Sequence, residues 1–156
     1  MQRLPLLLVA SLTVAIGVCE AGRDTRAEPV ATPAPTPAPP LDRYEGFWEL
    51  RRGHGPEGPV AIVPGHEVTG RIRDGFIGGS SGCNRYGFRM TISGTAVDIG
   101  RGGIDQEDCV PEAEDVEPRY IAALPLVTEI ARDGDELVLT GPGVRLVFQK
   151  VQRQSR

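Results

Sequence analysis

Three two-residue turn signals, each set between short segments in which apolar and polar residues alternate, constrain the fold of this chain most strongly. The signals are Asp74-Gly75, Ser93-Gly94 and Asp133-Gly134. Such dipeptides favour tight hairpins between neighbouring strands. A hairpin joins antiparallel strands, because parallel strands need a long crossover connection. The sequence therefore predicts a mainly antiparallel sheet.

One segment changes the period of its apolar residues. Between residues 114 and 124 these residues recur at helical spacing. Pro118 is tolerated only in the first turn of a helix, so we expect the helix to begin near Glu117 and to end at Pro125. Strands are predicted at residues 47–51, 60–63, 68–73, 76–78, 88–92, 96–99, 127–131, 136–140 and 144–151. The expected fold is α+β: a curved antiparallel sheet, partly closed like a barrel, with one covering helix.

The first nineteen residues have the pattern of an export signal. Arg3 precedes an apolar run over residues 4–18. That run is shorter than the roughly 18–20 apolar residues that a membrane-spanning helix needs, and its length suits a signal peptide. A buried helix of the domain is the alternative, but a proline-rich segment follows almost at once. Residues 1–19 are therefore predicted to direct export.

Two modes of signal cleavage are compatible with the residues around Cys19. The stretch IGVC, residues 16–19, resembles the lipobox of lipoproteins, in which cleavage precedes a cysteine that then carries a lipid. The alternative is ordinary cleavage after Ala21, because small residues occupy the positions that the peptidase reads. Cys19 is the lipidation candidate, and a lipid there would anchor the chain to a membrane.

A proline-rich segment separates the signal from the folded part. PVATPAPTPAPP, residues 29–40, favours extended polyproline II and opposes both helix and sheet. We interpret residues 20–43 as a disordered tether; a ligand for a proline-binding module is the alternative. The domain is then predicted at 44–151, with a tail at 152–156.

The composition argues against one class of partner. The net charge is −4, and Lys150 is the single lysine beside many arginines. We interpret the sequence as containing no basic patch interleaved with aromatic residues, so no nucleic acid partner is expected. With one tryptophan and few aromatic residues, the core is expected to rest on Val, Ile and Leu.

Two cysteines remain in the folded part, Cys83 and Cys109. In an exported chain such a pair is most simply a disulfide. A free reactive thiol and a metal site are the alternatives. A metal site would need further ligands, and the two histidines, His54 and His66, occupy a different region and are interpreted as solvated loop residues.

Residues 105–117 form an acidic segment that contains no basic residue. Carboxylates in front of a helix stabilise its N-terminus and stay in solvent. Calcium binding is the alternative, but the spacing of an EF-hand loop is absent. No catalytic, metal or cofactor site is predicted. The acidic residues are Asp105, Glu107, Asp108, Glu112, Glu114, Asp115 and Glu117.

Several stretches of the folded part resemble a known family. The most specific is GSSGCNRY, residues 79–86; a W-x-L stretch at 48–50 precedes it and Cys109 follows. YIAAL at 120–124, GD-x-L-x-L at 134–139 and VRLVF at 144–148 continue the pattern. Together they are similar to the META domain of HslJ-like bacterial envelope proteins, over nearly the whole chain after the tether.

The resemblance implies a monomeric, β-rich module with one helix, exported and often lipid-anchored, without catalytic residues. We name residues 79–86 the motif loop. Its glycines are expected to allow positive φ or a close backbone approach, and its cysteine and asparagine to fix the loop. The family-motif residues are Gly79, Gly82, Cys83, Asn84, Arg85 and Tyr86.

These observations predict a non-enzymatic exported protein that acts as a cell-envelope accessory or binding module. Its partner is expected to be a protein or another envelope component. The alternative is a secreted inhibitor or ligand-binding module that acts on another protein. A hydrolase is disfavoured, because no serine, histidine and acid arrangement stands out. The expected location is the cell envelope, or the periplasm or medium if Cys19 carries no lipid.

Overall fold

The computed structural model describes residues 41–152. The predicted signal peptide, Cys19 and the tether up to residue 40 lie outside the described residues. Regular structure begins with a 3-10 helix at Leu41–Tyr44, three residues before the predicted domain start. Tyr44 is buried, and its carbonyl accepts a hydrogen bond of 3.0 Å from the indole nitrogen of Trp48. The first residues of the described part thus contribute to the core.

Nine strands and one α-helix follow. The helix α1, Val116–Ala123, lies between two short 3-10 helices at Pro111–Ala113 and Leu124–Leu126. The strands are β1 Gly46–Gly55, β2 Gly58–Val60, β3 Thr69–Arg73, β4 Phe76–Ser80, β5 Arg85–Ser93, β6 Ala96–Ile104, β7 Glu129–Asp133, β8 Glu136–Gly141 and β9 Val144–Val151.

The sheet closes on itself into an eight-stranded antiparallel barrel. Strand β1 pairs on one side with β3 and on the other with β9, so that Trp48 is opposite both Gly70 and Lys150. Strand β2 pairs only with the far end of β1 and stands beside the ring. Register shifts at Leu50/Arg52 and Phe88/Met90 mark irregularities of the bulge type, which bend and twist strands. The predicted α+β barrel-like fold is confirmed, and its closure is complete rather than partial.

All three predicted hairpins are present, but two turns lie one residue later than predicted, at Gly94-Thr95 and Gly134-Asp135, because Ser93 and Asp133 still pair in their strands. Asp74 and Gly75 both have positive φ, 51° and 75°, as a type I′ turn requires. The strand predicted at 127–131 is shifted to β7, because the Val127 amide still donates to the Leu124 carbonyl and ends the helical segment. The helix predicted near Glu117 begins at Val116.

The interior of the barrel is filled by side chains. Leu139 and Leu146 are fully buried, and α1 covers the core with Tyr120 and Ala123. The expectation that Val, Ile and Leu would carry the core is incomplete, because aromatic residues supply its largest members. The largest fully buried side chains are Trp48, Tyr44, Tyr120 and Phe148. None of the helices within residues 41–152 is long and apolar enough to cross a membrane.

Candidate functional site

Two glycines allow the motif loop to pack tightly. Gly82 has a φ of +99°, and a Cβ added there would lie 2.7 Å from Cγ1 of Val116 at the start of α1. A Cβ at Gly79 would collide with the carbonyl of Thr69 on β3. The loop therefore lies directly against the helix and the neighbouring strand, and larger residues at either position would push these elements apart.

The structure joins Cys83 to Cys109, with their Cα atoms 5.5 Å apart. The disulfide predicted from the isolated cysteine pair is therefore present, rather than a free thiol or metal site. In the described part of the chain, one set of three potential metal-ligating side chains clusters, the two cysteines and Glu117. Two of its atoms are the bonded sulfurs, so the set lacks the thiolates that a metal ion would need.

Glu117, in the first turn of α1, holds the motif loop through its carboxylate. Oε2 accepts a hydrogen bond from the backbone amide of Asn84 at 2.9 Å and is in short contact with the Ser81 hydroxyl. Oε1 accepts from the Asn84 side-chain amide at 3.1 Å. Charge-assisted bonds of this kind are among the stronger ones in proteins. The carboxylate thus links α1 to the connection between β4 and β5.

Asn84 is buried and connects the motif loop to the acidic segment. Its Oδ1 accepts from the backbone amide of Glu107 at 2.9 Å, and its Nδ2 also lies 3.3 Å from the Glu107 carbonyl. The side chain of Asn84 therefore binds the backbone of a distant segment rather than neighbouring backbone groups of the loop. Disulfide and amide together fix residues 107–109 beside the loop.

Tyr86 ends the motif inside the barrel. Its hydroxyl donates to the Thr69 carbonyl at 2.9 Å and lies 2.7 Å from the hydroxyl of Tyr120. Burial raises the pKa of both phenols well above the ordinary value. Both side chains therefore stay protonated at any physiological pH and act as structural hydrogen-bonding groups.

The two serines of the motif loop differ in access to solvent. Ser81 is fully buried although its hydroxyl contacts a carboxylate, so it cannot meet a substrate. Ser80 is half-buried, and its hydroxyl accepts a hydrogen bond from the Gly82 amide at 3.2 Å. His54 is exposed on β1, so the interpretation as a loop residue is wrong for it, and His66 lies half-buried in the connection before β3.

The acidic segment divides into two groups. Six of its carboxylates are exposed, as the solvated interpretation predicts. Glu117 differs, because it is half-buried and bonded to the motif loop. No spacing in the sequence could have revealed this link, since Glu117 and Asn84 are 33 positions apart and meet only in the folded domain.

An open groove of 860 Å³ lies on the outer side of β1, β3, β4 and β5. Strand alternation places Arg71 and Arg73 outward, because Gly70 and Ile72 between and beside them are buried. Gly78 faces outward between Phe76 and Ser80 and leaves the middle of the groove without a side chain. The lining residues with charged or aromatic side chains outside the core are Phe47, Arg71, Arg73, Asp74, Phe76 and Arg85; Trp48 and Tyr86 also border the groove, but their side chains are buried.

Arginine and aromatic side chains alternate along this groove. The Arg71 guanidinium lies 5.1 Å from the ring centroid of Phe47, and that of Arg89 lies 5.3 Å from the Phe76 ring. Phe76 is 46% exposed. The interpretation that the chain has no basic patch interleaved with aromatic residues is therefore wrong. The sequence does contain a hint of this patch, because arginines within one predicted strand are spaced by an even number of residues and so share a face. The patch itself forms only when three strands pair.

Comparison with known proteins agrees with this description. The family model described as META domain matches residues 41–153. A protein from Burkholderia xenovorans, solved by NMR, has the same fold with a TM-score of 0.61 and 22% sequence identity, over 77% of this chain and 93% of that chain. No curated protein matches the chain.

The META domain is not a known enzyme family. The match covers well over half of the chain and includes every described strand and the helix. The predicted resemblance is thereby confirmed: the chain belongs to the META domain family.

Proposed function

We propose that this protein is an exported, non-enzymatic binding module of the cell envelope. Residues 1–19 direct export, a lipid on Cys19 anchors the chain, and a tether that ends at residue 40, before the 3-10 helix, holds the domain at a distance from the membrane. The domain acts as a monomer and binds another protein or an envelope component. Cleavage after Ala21 would instead leave the same module in the periplasm or medium.

The outer groove is the observation that carries this proposal. The barrel interior is filled, so a ligand has no room inside, whereas the groove is open and combines cationic with aromatic side chains. Its volume lies in the range of ordinary ligand sites. Binding at an outer surface requires no catalytic residue, which agrees with the buried position of Ser81.

The inhibitor alternative receives no support from the geometry. An inhibitor of that type inserts a projecting loop into the cleft of its target. The motif loop instead packs against α1 through Gly82 and is bonded to Glu117. The groove, rather than a loop, is therefore the proposed recognition surface.

Fractionation of producing cells tests the anchoring part of the proposal. The parent protein is expected in the membrane fraction and to need detergent for release. Cys19→Ala is expected to leave the protein uncleaved or to move it to the soluble fraction. A parent protein that is already soluble, with processing unchanged by Cys19→Ala, would contradict lipid anchoring and favour cleavage near Ala21.

Site-specific photocrosslinking in cells tests the binding part. Phe76 and Ile62 are matched positions, because they are large apolar residues exposed by 46% and 45%, and Phe76 alone lines the groove. A photoreactive phenylalanine analogue at Phe76 is expected to give a discrete adduct, and the same analogue at Ile62 none. Adducts at neither position, or equally at both, would contradict a binding role for the groove.

A further inference from the structure

The proposed function leaves the chemistry of the partner open, and the charges in the groove restrict it. Arg73 is paired with Asp74 at 2.8 Å. Arg71 and Arg85 form no ion pair with any residue in the part of the chain that the structure describes. Two guanidinium groups are thus available for an anionic ligand. Guanidinium groups bind carboxylates through two parallel hydrogen bonds.

Strand register arranges the groove in three rows. Arg73 and Phe76 are paired across β3 and β4 and form the first row, and Arg89, which pairs with Phe76 from β5, lies outside the groove lining. Arg71, Gly78 and Gly87 form the second, and Ser80 and Arg85 belong to the third. Successive rows are two residues apart along a strand, or roughly 6.6 Å.

An extended peptide has the same repeat, because its alternate side chains face one side at roughly 6.6 Å. Three side chains of such a peptide, at positions i, i+2 and i+4, can face the three rows. The first row offers the exposed ring of Phe76, and the next two offer Arg71 and Arg85. The complementary side chains are one apolar residue followed by two carboxylates.

We propose that the groove binds an extended acidic segment of a partner protein, with an apolar residue and two carboxylates at alternate positions. The inference rests on the proposed function and names the partner class of that site. A concave centre favours a peptide over a lipid surface. The second row has no side chain at Gly78 or Gly87, and the space above Gly87 is open, so that a chain can enter there and a planar membrane cannot.

Fluorescence anisotropy with the full-length protein, purified in mild detergent, tests the inference. The probe is a dye-labelled peptide containing Leu-Thr-Glu-Thr-Glu. Its isomer Leu-Thr-Thr-Glu-Glu has the same charge but places its carboxylates on opposite faces. We expect saturable binding of the first peptide and affinity about tenfold lower for the isomer, since one charge-assisted contact is lost.

Variants link the binding to the groove. Arg71→Gln and Arg85→Gln are each expected to weaken binding about tenfold. Arg145→Gln removes the same charge from an exposed position of β9 outside the groove and should leave the affinity unchanged. Thermal unfolding of all three variants at the parent temperature shows that the losses do not come from misfolding.

Equal affinity for the two isomers, or an equal loss in Arg145→Gln, would overturn the inference and indicate attraction by net charge alone. Binding of monomeric short-chain phosphatidylglycerol that depends on Arg71, without peptide binding, would assign the groove to anionic lipid. Lipid binding of this kind would refute the acidic-peptide inference but leave the binding function in place. The same conclusion would follow if neither probe binds while the analogue at Phe76 still gives a cellular adduct. Loss of both the adduct and the peptide binding would remove both proposals.

Discussion

The motif loop and the outer groove share strands β4 and β5, yet their polar side chains are satisfied in different ways. In the loop, Ser81 and Asn84 are buried, and Glu117 and neighbouring backbone groups bind them. In the groove, Arg71 lies over an aromatic ring and forms no ion pair with the described residues. Consecutive residues divide the two regions, because Arg85 faces outward and Tyr86 inward.

This difference separates the residues that identify the family from the residues that are proposed to bind a partner. A buried polar group without a partner is costly, so the partners of the motif loop must be kept for the domain to fold. Exposed arginines can change with little effect on stability. Stability measurements should therefore respond to the inner region, and binding measurements to the outer one.

The largest stability effect is expected for Trp48→Ala. Trp48 is 1% exposed, and its indole nitrogen is bonded to the Tyr44 carbonyl. Removing this ring should lower the free energy of unfolding by about 3–5 kcal/mol, as measured by urea denaturation. Phe76→Ala in the groove is the control and should change it by less than about 0.5 kcal/mol. Similar losses in the two variants would erase the proposed contrast between the regions.

Removal of the disulfide should have the second-largest effect on the free energy of unfolding. The bond joins residues separated by 26 positions, and its loss restores entropy to the unfolded chain. Cys83→Ser combined with Cys109→Ser should cost about 3 kcal/mol in the same assay. Intact mass after alkylation provides the chemical check, with two thiols detected only after reduction. Thiols that react without reductant would show that the bond does not form in the native protein.

Glu117→Gln should have a smaller but distinct effect. The amide keeps the shape of the side chain but loses the charge that strengthens the bonds from Ser81 and Asn84. We expect a loss of about 1–3 kcal/mol. Glu114→Gln, at an exposed position just before α1, is the matched control and should be nearly neutral. A neutral Glu117→Gln would mean that the carboxylate does not hold the loop.

The smallest of these effects at neutral pH is expected for Tyr86→Phe, about 1 kcal/mol for the lost hydroxyl bonds. Its signature is the pH dependence. Burial raises the pKa of Tyr86 and Tyr120 in the folded state, whereas the unfolded chain releases these protons near pH 10. Their contribution is full below about pH 10 and is lost as pH rises toward the higher folded-state pKa.

Denaturation midpoints at about pH 8 and about pH 11 would measure this loss in the parent and in Tyr86→Phe. The parent should lose more stability between the two pH values than the variant does. An equal decline in both proteins would indicate that Tyr86 ionises as readily in the folded state as in the unfolded chain.

The sequence predicts those parts of the fold that depend on neighbours along the chain. The hairpin at Asp74-Gly75 and, within one residue, the hairpin at Gly134-Asp135 follow from local turn preferences, and the helix start follows from Pro118. The closure of β1 on β9 has no local signal, because it joins opposite ends of the domain. The contact of Glu117 with Asn84 joins residues 33 positions apart and has no local signal either. The three rows of the groove depend on the exact register of β3, β4 and β5, which the turn signals alone do not set.

The pairing of β1 with β9 also determines how late in synthesis the barrel can close. Phe47 is opposite Val151, so the ring cannot close until nearly the last residue of the domain is available. Contacts between such distant positions slow folding, because the chain loses much entropy before they form. During synthesis the N-terminal strands emerge first, so the growing chain has an unclosed sheet with an unpaired β1 edge for most of that time. Unpaired edges of this kind can pair with other chains. We expect the interval before β9 appears to be the period in which this protein most needs a chaperone.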